Sequence, residues 1–103
     1  MKIESLHQHQ HYDTARFTKR IVFQHTGNNV FVLNFEPGQQ LPAHRHPGSD
    51  LYLLMVSGKG TLTIDQQEVG LHTGDMMHVE ADEWMSYRGD EKESSSLYVV
   101  LVS

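Results

Sequence analysis

Apolar residues along this chain recur in short runs, many with a period of two, and turn residues separate the runs. Side chains that alternate in this way lie on opposite faces of a β-strand, so the pattern predicts strands throughout and, in the middle of the chain, no helix of more than one turn. The runs "KRIVFQH" and "VFVLNFE", split by "TGNN", predict a hairpin over residues 19–36. Pro37 cannot donate to a ladder and Gly38 tolerates positive φ, so "EPG" breaks the chain there. "LPAHRH" is extended again because the residue before Pro42 is pushed toward β or polyproline geometry, and "PGSD" turns. "LYLLMVSG" is a continuous apolar run of strand length, and "GTLTI" places Leu62 and Ile64 on one face with Thr61 and Thr63 on the other. After "DQQE" and "VGLHTGD", the runs "MMHVE", "EWMSYR" and "LYVVLVS" add three strands, while "GDEKESSS", residues 89–96, reads as a solvated loop. Roughly eight or nine strands at spacings of about 8–12 residues argue for an all-β sandwich or barrel.

With 103 residues and no internal repeat or linker, one domain is the economical reading, its core at about residues 21–102. Residues 1–13 read as a flexible or edge-strand N-terminus in which His7, His9 and His11 are solvated. A composition of 38% hydrophobic and 20% charged residues is that of a globular protein. No apolar run reaches the roughly 18 residues of a membrane span, and "MKIESLHQHQH" lacks the apolar stretch of a signal peptide, so a cytoplasmic protein without membrane contacts is expected. The net charge of −5 and scattered basic residues argue against nucleic-acid binding. Without cysteine, thiolate ligands and cysteine nucleophiles are excluded. No serine stands in a G-x-S-x-G elbow and no phosphate-binding glycine loop is present. Eight histidines are unusual for this length, since protonating all of them would carry the net charge from −5 to +3.

His44 and His46 attract attention first. Two residues apart on an extended strand, they share a face, with Cβ atoms about 7 Å apart, and their imidazoles can converge on one ion. Gly38, "QQLPA", His44, Arg45, His46 and Gly58 then match much of G-x5-H-x-H-x(3,4)-E-x6-G, and Gly74 with Asp75 match the start of G-x5-P-x-G-x2-H-x3-N. In these motifs the chain resembles the small single-domain cupin family over about residues 21–102. The resemblance implies a single-domain cupin-type jelly-roll β-barrel with a pocket inside it, and a homodimer, with "RIVFQH" or "LYVVLV" as edges worth covering.

An ordinary member of that family binds its ion with three His and one Glu. Counting back from Gly58, the glutamate position is Leu51; Asp50 takes its place only if a bulge turns its carboxylate inward. In the second motif the proline is Glu80, the inner glycine Asp82, the asparagine Gly89 and the histidine Met85. The implied metal residues are therefore His44, His46 and Asp50, holding a divalent ion (Zn, Mn, Fe or Ni, with Cu less favoured), and no metal at all is an equal alternative. Met85 is a soft thioether, suited to Cu(I) or to filling an apolar pocket. Gln40, Tyr52, Met85 and Tyr87 are candidate ligand-binding residues, with core packing an equal explanation for Tyr87 and its neighbour Trp84. His25, His72 and His78 read as surface or satisfied interior residues. Three functions stay open: a small-molecule-binding protein, a metal-dependent enzyme resembling cupin dioxygenases or isomerases, and a structural or interaction module.

Overall fold

The computed structural model describes residues 1–103. Nine strands carry nearly all of the regular structure: β1 (Thr18–His25), β2 (Asn28–Phe35), β3 (Gln40–His44), β4 (Asp50–Ser57), β5 (Lys59–Ile64), β6 (Gln67–His72), β7 (Met76–Val79), β8 (Met85–Gly89) and β9 (Ser95–Val102). They form a five-stranded sheet in the order β1-β2-β9-β4-β7 and a four-stranded sheet in the order β3-β8-β5-β6, every ladder antiparallel. The architecture is the expected all-β jelly roll, but its sheets do not close into the expected barrel. The two sheets stay separate ladders, so the molecule is a sandwich. No helix is long and apolar enough to cross a membrane.

The inner faces follow the alternation. Phe31, Leu33 and Phe35 of β2 and Leu51, Leu53 and Met55 of β4 meet Leu62 of β5 and Tyr87 of β8 in one buried cluster. Each fully buried Leu or Phe contributes roughly 1.5–3 kcal/mol. The hairpin joining β5 to β6 turns on Asp65 and Gln66, with φ of 46° and 71°. Its fixed twist matches the strands, and the Asp65 carboxylate accepts a hydrogen bond from the Trp84 backbone N–H at 2.9 Å. Gly58, the closing glycine of the first motif, has φ 74°, and a Cβ there would overlap the Ser94 carbonyl oxygen.

Three expectations change. The polar stretch at 89–96 is shorter than its composition suggests, because Ser95 and Ser96 begin β9 and are fully buried. β9 lies between β2 and β4, so "LYVVLV" is not an edge, whereas β1 is. The N-terminal segment adds no strand; Leu6–His9 form a 3-10 turn, and His9 is buried. Asn34, on the outer face of β2, donates to the His9 carbonyl oxygen at 2.7 Å and accepts from Ser96 Oγ at 2.7 Å. Ser96 spends its only proton on Asn34, so the hydroxyl of Tyr12, 2.7 Å away, must donate to it. This buried polar chain seats the first dozen residues against the sheet.

Candidate functional site

The position of the histidine pair is decided by a bulge. In the β3–β8 ladder Leu41 stands opposite Tyr87 and His44 opposite Met85, so β3 holds one residue more than its partner across the same step. The extra residue falls at Pro42–Ala43, where proline has no N–H to give to a ladder. Regular alternation would send Leu41 and His44 to opposite faces, because they are three apart. The bulge instead brings both inward, and His46, just beyond the strand, follows His44.

Between the sheets, beneath the pair, lies a cavity of about 110 Å3. Its wall includes His44, His46, Leu51, Leu53, Met85 and Lys19, with Phe17, Phe31, Leu33, Leu41 and Val99 completing it. The two imidazoles meet edge to face with centroids 4.7 Å apart. Nδ1 of His44 lies 2.7 Å from the Pro42 carbonyl oxygen, which can only accept, so Nδ1 carries the proton and neutral His44 presents a bare Nε2. Burial, then the neighbouring His44, then Lys19 hold the His46 imidazolium below its ordinary pKa of 6.5. At pH 7 the pair is neutral at His46, and the lysine supplies the cavity's only fixed charge.

The residues singled out in the sequence divide. His44, His46 and Met85 come together, and Leu51 joins them at the inward position that the count from Gly58 assigns. Asp50 does not. Its ladder partners run without a shift into Leu51, leaving no bulge to turn it inward. On the outer face, its carboxylate accepts from the Ala81 N–H at 2.8 Å and lies 3.4 Å from His78 Nε2. Tyr52 shares that outer face, exposed and stacked on His78 at 4.6 Å. Gln40 pairs with Arg88 across the β3–β8 ladder and is exposed.

Tyr87 is inward but belongs to another part of the core. Its ring packs against Phe35 at 4.6 Å, and its hydroxyl sits 2.7 Å from Ser95 Oγ. Burial pushes that hydroxyl up to about 12, only partly offset by the hydrogen bond to Ser95. Trp84 is half exposed at the surface, with the Arg45 guanidinium 5.3 Å from its ring centre. Sequence reasoning missed Lys19. A lone lysine in an edge strand carries no motif, and only the pairing of Lys19 with Leu33 shows that it faces the inner side.

These donors do not fit the divalent ion that the motifs suggest. The cavity offers two imidazoles and a thioether, with leucine at the carboxylate position and an ammonium group on the wall. No three His, Asp or Glu side chains come close enough together to hold a metal.

Comparison with known proteins places the chain. The family model described as "Cupin domain" matches residues 31–101. No curated protein matches the sequence. Among solved structures, TT1209 from Thermus thermophilus superposes with a TM-score of 0.93 at 24% identity, covering 99% of this chain and 97% of that one. An RmlC-like cupin protein from Desulfovibrio desulfuricans gives 0.89 at 20% identity over 99% and 96% of the two chains. KdgF from Halomonas sp. gives 0.83 at 16% identity over 100% and 94%. At these identities the likeness is one of fold.

Proposed function

The chain belongs to the cupin family, and from that premise we propose that it binds a small molecule in the cavity between its sheets, beneath His44 and His46. The observation that carries this reading is the cavity wall itself. Leu51 and Met85 stand, apolar, beside two histidines where a metal-binding member would place a carboxylate and a third imidazole. A concave apolar wall with a few convergent polar groups is the usual form of a small-molecule site. Here the bare Nε2 of His44 accepts from a ligand donor, and the neutral His46 ring contributes one donor or acceptor.

Binding, with the protein acting as a carrier or sensor, is favoured over metal-centred catalysis. Two imidazoles alone hold a divalent ion weakly, and a nearby ammonium group opposes its charge. A small-molecule thermal-shift screen of the untagged chain, run beside elemental analysis, tests the proposal. Stabilising compounds whose effect is lost in His44→Ala support it. About one tightly held ion per chain would instead restore the metal-enzyme reading. The proposal includes a homodimer formed by pairing of β1 edges, which light scattering after size exclusion would register as twice the mass of 11.8 kDa.

A further inference from the structure

The whole chain is acidic, at −5, yet no Asp or Glu lines the cavity. The one fixed charge on its wall is the ammonium of Lys19, opposite Leu33 in the β1–β2 ladder and 4.4 Å from the centre of the Phe31 ring. Every ion pair in the molecule involves a histidine, and none involves Lys19. The lysine head therefore stands beside an apolar chamber with an aromatic ring, rather than a carboxylate, as its neighbour. A low-dielectric wall strengthens its attraction for an anion that enters.

On the reading that this cavity holds a small molecule, we infer that the molecule is a small monocarboxylate, its carboxylate held by Lys19 at the mouth and its apolar body lying against Leu51, Leu53 and Met85. Size sets the scale of that body. The cavity, at about 110 Å3, is somewhat smaller than the roughly 150 Å3 that holds one benzene molecule, so a short branched chain or a single ring is the limit. His44 adds a discriminating group. Because Nδ1 is committed to the Pro42 carbonyl, Nε2 is an acceptor, and a hydroxyl next to the carboxylate would find a partner there.

Calorimetric titration of the full chain at pH 7 and low salt, with isovalerate and benzoate against their neutral amides, tests the inference. The acids should bind about tenfold or more tighter than the amides, and the preference should shrink as salt is added. Lys19 is exposed, so Lys19→Met should fold normally. It should bring the acids down to the amides' affinity while leaving the amides unchanged, and Lys19→Arg should keep the preference. Acids and amides binding equally, or a preference that survives Lys19→Met, would overturn the carboxylate assignment and leave the small-molecule reading standing. Binding by none of the four probes would overturn the monocarboxylate assignment, and an open thermal-shift screen without a stabilising compound would overturn the small-molecule reading beneath it.

Discussion

Replacing Tyr87 by Phe removes one oxygen from the core and tests whether this residue is structural rather than ligand-binding. The Tyr87 and Ser95 oxygens lie 2.7 Å apart, and the two residues are 2% and 0% exposed, so water cannot substitute for either partner. A buried hydrogen bond contributes about 1 kcal/mol net, and an orphaned buried hydroxyl costs about 1–3 kcal/mol, so Tyr87→Phe should destabilise by about 2 kcal/mol. Ser95→Ala should cost less, about 1 kcal/mol, because the tyrosine hydroxyl keeps a longer approach to the Lys59 carbonyl at 3.4 Å. In the double variant neither partner is stranded, so the two losses should fall short of additivity by about 1 kcal/mol. Urea unfolding followed by the fluorescence of Trp84, the only tryptophan, measures this, and 2 kcal/mol moves the midpoint by about 1 M. The hydroxyl also fixes a pH window. Its pKa rises from an ordinary 10.0 to about 12 on folding, so the stabilisation is complete below pH 10 and is lost as pH rises through 12. Tyr87→Phe should lack that alkaline loss. Additive single losses, or an unchanged alkaline decline in Tyr87→Phe, would refute the reasoning, as would a fall in ligand affinity comparable to that of His44→Ala.

The histidine pair gives a second pH signature: His46 is held below 6.5 in the fold, so the unfolded chain takes up its proton first. The stability it confers is present above about 6.5 and lost as pH falls through the folded value; the ring should titrate below 6.5 by NMR, and His46→Gln should flatten the acid limb. Leu51→Glu combined with Met85→His should turn the wall into three imidazoles and a carboxylate. Zinc at a hundredfold its dissociation constant should then stabilise that variant by about 2.7 kcal/mol and leave the wild type unmoved, and an equal shift in the wild type would contradict the donor-set argument. Asn34→Ala should cost about 3 kcal/mol and strip hydrogen-exchange protection from residues 6–12, since Asn34 alone joins His9, Thr18 and Ser96. Asp50→Asn should leave small-molecule affinity unchanged, because its carboxylate faces Ala81 and His78 on the outer face.

The strand pattern of this chain is local, and the sequence carries it. Alternation in "GTLTI" assigns faces because Leu62 meets the core, whereas "VFVLNF" is buried on both faces; the spacing back from Gly58 picks out Leu51, which pairs in register with Val79 and Leu101 and faces inward. Alternation also says that His44 and His46 share a face. It does not say which face, since that depends on the partner strand: one extra residue at Pro42–Ala43, visible only against β8, turns the pair into the cavity. The same limit applies to Asp50, whose inward turn would need a bulge beside it, whereas the shift in the β4–β9 ladder lies further along, between Met55 and Ser57. Ser95 and Ser96 look like loop residues until Tyr87, Asn34 and Tyr12 satisfy their hydroxyls. Lys19 is one basic residue among eight in the sequence. It becomes a candidate anion anchor only where edge strand β1, folded over β2, sets it beside the Phe31 ring at the rim of an acid-free cavity, because charge acts through distance and dielectric, and both are set by tertiary structure.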